Sequence, residues 1–260
     1  MTHIDGRAGN AGRCAIAVMA KAPRPGRVKT RLSPPLSPDE AMAMGAAFLR
    51  DVTANLRCAA RDAPIVGFVA YAPAGSDSLF DGLLAPDTGL VLADGTGAMP
   101  DTVQGFGRSL LHATRALFDR GFGAVCVLNA DSPTLPTDRL IEAATALLRP
   151  GPRAVLGPAE DGGYYLLGMQ TPDPHLFSAI DWSTDRVAVQ TRTRIAERDL
   201  PLVDLPPWYD VDDGDALTRL LRELAAPGAG FAAPATRACI ARLGLDRHHR
   251  ARMEGALPPQ

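Results

Sequence analysis

Four short stretches of this chain carry side chains able to do chemistry. NADSPTLP, residues 129–136, follows directly on the apolar run GAVCVL and delivers Asp131 to the end of a strand-like segment. Open α/β folds keep their ligands at the carboxyl edge of the sheet, so a carboxylate delivered there is a candidate anchor. Capping is the plainer role for such a residue, but Thr137 and Asp138 lie closer to the helical pattern that follows.

The second stretch, KAPRPGRVKTRL at 21–32, packs Lys21, Arg24, Arg27, Lys29 and Arg31 into eleven residues with no acid, and prolines stiffen its path. It reads as a long loop after a first strand, the place where nucleotide-binding α/β folds cradle phosphates. Lys21 and Lys29 are suited to act as point charges on phosphate oxygens, and Arg27 and Arg31 to grip them bidentately. A solvated basic loop or a nucleic-acid contact is the alternative. Nucleic acid, however, calls for a wider basic face with interleaved aromatics, which the rest of the chain does not offer.

The third stretch, EDGGYY, sets Asp161, Gly162, Gly163 and Tyr164 in a turn that is either a plain hairpin or a close approach of backbone to a ligand, with Asp161 and Tyr164 as polar contacts. The fourth, YDVDDGDAL, places Asp210, Asp212, Asp213 and Asp215 within six residues. A helical pattern starts there, so some of these acids are caps, and the others could share a hard divalent cation, Mg²⁺ or Mn²⁺, with Asp131. Histidine and cysteine spacings offer no zinc site, and His248 and His249 lie in a polar tail.

Continuous apolar runs position these stretches. CAIAVMA at 14–20, PIVGFVAY at 64–71 and GAVCVL at 123–128 have the character of strands buried on both faces, and shorter strands are expected at 89–93, 153–158, after the DGG turn, and within 200–205. Helical patterns alternate with them at 38–61, from about Thr102, at 138–148, 185–198 and 216–224. The fold class is therefore α/β, a three-layer α/β/α Rossmann-like sandwich around a mostly parallel mixed sheet. One domain is expected over 14–226. A flexible N-terminus precedes it at 1–13, and an Ala/Pro/Gly-rich tail with one short helix follows at 227–260, its last dozen residues mobile.

Composition sets the outer bounds. With 260 residues, 46% of them hydrophobic, and a net charge of -2, the chain can bury one sizeable core and has no global pull toward nucleic acid or anionic membrane. Cys14, Cys58, Cys126 and Cys239 are far apart without a CxxC pair and read as reduced core residues. The apolar run after the N-terminus is too short for a signal segment or a membrane span. A cytoplasmic protein with small-molecule partners, no nucleic acid and no membrane span is expected; a homodimer stays open.

Taken jointly, KAPRPGRVKTRL, LNADSPTLP and EDGGYYLLG followed by YDVDDGDAL resemble the GT-A-type nucleotide-diphospho-sugar transferase superfamily, and more narrowly its bacterial DUF2064, glycosyltransferase A-like branch, over about Ala15 to Leu220. The resemblance implies a GT-A fold, a metal on Asp131, donor phosphates along Lys21, Arg27, Lys29 and Arg31, and a substrate against Asp161 to Tyr164. The last acidic motif is similar to the family's DVDTPEDL, which makes Asp210 and Asp212 the second metal contact, although Asp213 and Gly214 replace Thr and Pro. The first loop has only Gly26 where nucleotidyltransferases of the superfamily are glycine-rich, and its KTRL is similar to phospholactate guanylyltransferases. QGFGRSLLHA, with Gln104, Arg108 and Ser109, sits where relatives contact the base, its arginine shifted by one position.

These features define the expectation of a metal-dependent transferase in which an acceptor oxygen attacks a nucleotide donor, with Asp131 and Lys29 carrying catalysis. The number of loop cations favours nucleotidyl transfer from a nucleoside triphosphate to a small acceptor, phosphorylated in one version. The family resemblance favours glycosyl transfer from a nucleotide sugar. A non-catalytic nucleotide-binding module is the third reading.

Overall fold

Cys14 to Val18 are wholly shielded from solvent, and their alternation divides the molecule into layers. The strand they begin, β1 (Cys14–Lys21), sends Cys14, Ile16 and Val18 into one core and Ala15 and Ala17 into another. A strand covered on both faces must be apolar throughout, and this one is. The computed structural model describes residues 9–226, 228 and 230–245. The histidine pair and the mobile last dozen residues expected from sequence lie outside them.

Six further strands complete a single sheet: β2 (Ile65–Ala72), β3 (Gly89–Leu92), β4 (Ala124–Leu128), β5 (Ala154–Pro158), β6 (Tyr164–Met169) and β7 (Leu202–Asp204). Their spatial order is β3-β2-β1-β4-β6-β5-β7. Only β6 runs against its neighbours, pairing antiparallel with both β4 and β5, while the β1–β2, β1–β4, β2–β3 and β5–β7 pairs are parallel. The chain moves outward from β1 through β2 to β3 and then returns to place β4 on the other side of β1. That reversal opens a crevice at the carboxyl ends of β1 and β4.

Helices α1 (Pro38–Ala59) and α3 (Thr137–Leu148) cover the Ile16 face, while α2 (Phe106–Phe118) and α4 (Val187–Ala196) cover the Ala17 face. This is the three-layer sandwich with a mostly parallel mixed sheet expected from sequence. Ser37 closes a capping box with Glu40 ahead of Pro38, so α1 begins where its sequence signals place it. Helix α2 begins at Phe106, not near Thr102, because Gly105 holds φ 53° and ψ -133°, a conformation closed to other residues. All four cysteines are free; Cys14, Cys126 and Cys239 are buried as expected, whereas Cys58 is only half-buried. No helix among the described residues is long and apolar enough to cross a membrane.

Two more helices, α5 (Gly214–Ala225) and α6 (Pro234–Leu243), pack on the outer side of α1 and form a further core with Leu32, Phe48, Tyr209 and Val211. The residue ahead of α6, Ala233, has no capping side chain. Asp51 of α1 takes that role from a distance, its carboxylate accepting from the backbone N–H groups of Ala235 (2.9 Å) and Thr236 (2.6 Å). Asp51→Ala should leave one buried and one half-buried donor unpaired and cost about 2–3 kcal/mol, roughly 5–10 °C in thermal midpoint. Asp51→Asn, which keeps one acceptor, should fall between the two in the same melting measurement.

Candidate functional site

The crevice at the carboxyl edge is built by the loops after β1, β4 and β7. Lys29, in the first of them, adopts a left-handed conformation (φ 50°, ψ 39°) that costs a non-glycine residue about 1–2 kcal/mol. The turn drives its side chain under the loop, where the ammonium has three partners: the Val211 carbonyl at 2.7 Å, Asp212 Oδ1 at 2.9 Å and Asp131 Oδ1 at 2.7 Å. Its side chain is only 6% exposed, so all three donors of the group are satisfied inside the protein. The Val211 N–H donates in turn to the Asp131 carbonyl at 2.8 Å, and the Ser132 hydroxyl to the Tyr209 carbonyl at 2.9 Å.

Burial acts to lower the Lys29 pKa, but Asp131 and Asp212 outweigh it and hold the ammonium above its ordinary value. Burial likewise acts to raise Asp212, yet Lys29 and Arg31 hold it below the usual carboxylate range. Arg31 reaches the other oxygen of Asp212 at 2.6 Å. Two of the four cations expected along donor phosphates, Lys29 and Arg31, are thus engaged with carboxylates. Lys21 and Arg27 line the same cavity and make no side-chain hydrogen bond or ion pair with the described residues.

That cavity, of about 380 Å³, is floored by Ala70, Ala72 and Ala93 at the ends of β2 and β3 and closed by the first loop, Asp131 and Ser109. Ser109 is therefore at the cavity, whereas Arg108 is turned away, holding the Gly95 and Gly97 carbonyls at 3.1 and 3.3 Å. Gln104 is exposed and bonds the Asp101 carbonyl at 3.2 Å. A second, larger chamber of about 940 Å³ adjoins the first, and Thr30, Arg31, Phe106 and Asp212 border both. Asp161, Gly163, Tyr164, Asp210 and Asp213 line it, with Trp182 and Arg219, which have no motif signal in the sequence. Phe106, 48% exposed beside Gly105, is a border residue that the sequence did not single out.

Within the DGG turn the glycines serve the chain itself. Gly162 has φ 90°, and a Cβ there would lie 2.1 Å from the Asp185 carbonyl oxygen. The Asp161 side chain accepts from the Gly163 N–H at 2.9 Å and so fixes the turn between β5 and β6. Of the four acids at 210–215, Asp213 caps α5 by accepting from the Ala216 N–H, and Asp215 lies in its first turn. Burial, with Asp161, Asp212 and Asp131 nearby, pushes the Asp210 carboxyl up to about 7.

Among the described residues no three acidic, histidine or cysteine side chains converge as a ready metal cage. The donor set nonetheless suits Mg²⁺ or Mn²⁺, which are commonly held by one or two carboxylates together with substrate phosphates and water. The second oxygen of Asp131 has no partner among the described residues, and Asp210 bonds only its own backbone.

A mostly parallel sheet with its cleft at the β1/β4 reversal, an acid after β4 and a cationic loop after β1 define an α/β fold of GT-A type. The family described as "Uncharacterized protein conserved in bacteria (DUF2064)" matches residues 55–184, half of the chain, and the chain belongs to it. A crystal structure from Desulfovibrio desulfuricans G20, that of a "putative nucleotide-diphospho-sugar transferase", superposes with a TM-score of 0.74 and 25% identity over 93% of this chain and 97% of that one. Two further likenesses are remote. A cytidylyltransferase from Leptospira borgpetersenii has TM-score 0.49 and 10% identity, covering 95% and 99% of the two chains. Glucosyl-3-phosphoglycerate synthase from Mycobacterium tuberculosis has TM-score 0.49 and 11% identity, covering 85% and 79%. No curated protein matches the chain in sequence.

Removing the ammonium should expose the repulsion it neutralises. Lys29→Met is expected to destabilise by about 2–4 kcal/mol at neutral pH. Asp212 has a lowered folded pKa, so its share of the stabilisation is present above the unfolded value of 3.8 and lost as pH falls through the folded value. Lys29 has a raised one, so its share is complete below 10.5 and lost at higher pH. The wild-type advantage in chemical denaturation should therefore be a plateau between about pH 4 and 10.5. Asp210 has the opposite sign for a carboxylate: its raised pKa withdraws stability as pH climbs from 3.8 to about 7. Asp210→Asn, in chelator, should melt higher than wild type above pH 7, by roughly 2–4 °C, with the difference shrinking toward pH 4.

Proposed function

We propose that the protein transfers a glycosyl group from a nucleotide-diphospho-sugar to the hydroxyl of a small acceptor substrate. The observation that carries this reading is the distribution of the loop cations. Lys29 and Arg31 are engaged by Asp131 and Asp212, which leaves Lys21 and Arg27 for phosphate, a complement suited to a diphosphate more than to a triphosphate. This removes the charge argument that favoured nucleotidyl transfer. The name of the Desulfovibrio protein supports the same assignment.

In this reading the 380 Å³ cavity takes the nucleotide, with its base side against the alanines of β2 and β3 and Ser109, and its diphosphate facing Lys21 and Arg27. Asp131 and Asp210 would hold a divalent cation through their unpartnered oxygens, with Asp212 alongside and still paired with Lys29 and Arg31. The cation, when bound, supplies positive charge to the leaving diphosphate. The oxygen of the acceptor substrate, presented from the larger chamber, bonds to the anomeric carbon as the bond from that carbon to the β-phosphate oxygen breaks. The nucleoside diphosphate leaves with the bonding electrons. Asp161, which lines that chamber and gives one oxygen to Gly163, takes the hydroxyl proton on the other.

Incubation of the protein and Mn²⁺ with a panel of nucleotide sugars and, separately, nucleoside triphosphates tests this. Slow release of nucleoside diphosphate from one of the sugars is expected, with at least a 100-fold loss in Asp131→Ala at unchanged fold by circular dichroism. Release of pyrophosphate from a triphosphate, with no sugar nucleotide turned over, would assign nucleotidyl transfer instead.

A further inference from the structure

The larger chamber has a chemical character of its own. Seven carboxylates line it, from Glu160, Asp161, Asp185 and the four aspartates between Asp210 and Asp215. Its two guanidiniums are both occupied: Arg31 by Asp212, and Arg219 by a two-point pairing with Glu160, stacked 3.9 Å from the centre of the Tyr209 ring. No lining cation among the described residues is left to meet an anion. A divalent cation and the diphosphate it accompanies nearly cancel, so the chamber stays strongly negative when the donor is bound.

Part of its wall is aromatic. Trp182 stands edge-on to Phe106, with ring centres 5.7 Å apart at 86°, and to Tyr164 at 6.5 Å and 77°. Two polar atoms of lining residues, the Tyr164 hydroxyl and Asn129 Oδ1, are closed to solvent and have no hydrogen-bond partner among the described residues. Burial alone pushes the Tyr164 phenol far above its ordinary value, so it stays a neutral donor and acceptor. Aromatic faces ringed by carboxylates bind the C–H face of a sugar or polyol that carries a positive charge, and they repel phosphate.

Resting on the glycosyl-transfer reading for its place in the reaction, we propose that the acceptor substrate is a cationic hydroxyl compound of the amino-sugar or amino-polyol class, bound between Trp182 and the acidic rim, and that phosphorylated acceptors are excluded. Discrimination is built from both directions. The rim attracts an ammonium, and the absence of a free lining cation leaves an anionic group without a partner.

Trp182 and Trp208 are the only tryptophans of the chain, so Trp208→Phe leaves a single indole in the chamber wall and gives a binding readout that needs no donor. Titration of its fluorescence with glucosamine, glucose and glucose 6-phosphate isolates the charge on one ring skeleton. Glucosamine should bind at least tenfold tighter than glucose and far tighter than glucose 6-phosphate, and Asp185→Lys should abolish the preference for the amine. Equal affinities, or a preference for the phosphate, would overturn the proposal. Diphosphate release from the nucleotide sugar, followed in parallel without any acceptor substrate, reports on the donor reaction, so a failed acceptor assignment and a failed transferase assignment give different results.

Discussion

Two carboxylates delivered by different strand ends cannot stand side by side at neutral pH without a cation between them, and here the cation is Lys29. Asp131 comes from the loop after β4 and Asp212 from the loop after β7, yet both reach one ammonium that also holds the Val211 carbonyl. The compact ammonium directs three donors at once, whereas a planar guanidinium of the same reach presents its donors in one plane. Three charge-assisted contacts offset the left-handed backbone that Lys29 must adopt. The cationic loop is thereby fastened to the acidic edge, and the mouth of the cleft has a fixed floor.

Above that floor, residue size shapes the cleft. The strand interiors carry Val18, Phe68, Val91 and Leu128, but toward the carboxyl edge the same faces pass to Ala20, Ala70, Ala72, Ala93 and Ala130. The loss of branched side chains at the strand ends leaves a volume that larger residues would fill, on elements too well packed to collapse into it. The cavity is a consequence of strands that stay regular while their side chains shrink. Its position follows from the chain reversal at β1 and β4.

The strands were legible in the sequence because buried parallel strands are continuous apolar runs, and α1 starts at Pro38, where its helical pattern was read to begin. Residues 102–105 were read as helix because their composition permits it; the override is the Gly105 backbone, which no periodicity reports. The sign of the first loop was visible, but the partners of its cations were not. Lys29 and Asp212 are separated by 183 positions, and only the folded topology brings them together. The glycines of the DGG turn looked available to a ligand, yet one is closed by the Asp185 backbone. Trp182 and Arg219 stood alone in sequence, and they acquire meaning only as walls of a chamber whose other members come from six separate segments of the chain.

The two chambers divide charge in a way that favours one orientation of substrates. Lys21 and Arg27 face the smaller cavity, and the carboxylates of 160–161, 185 and 210–215 face the larger one, with Arg31 and Asp212 paired at the border. A dianionic diphosphate placed in the larger chamber meets a majority of like charge, its two guanidiniums being already paired with carboxylates. At an effective dielectric constant near 20 one such contact at 4 Å costs about 4 kcal/mol before screening. The ion pair at the border is what lets such opposed fields lie next to each other. Arg31 and Lys29 neutralise Asp212 where a donor phosphate would otherwise meet it, so the acid can stay within reach of the reacting atoms without repelling the leaving group. The same interaction that holds the loops together therefore also sets where positive charge ends and negative charge begins.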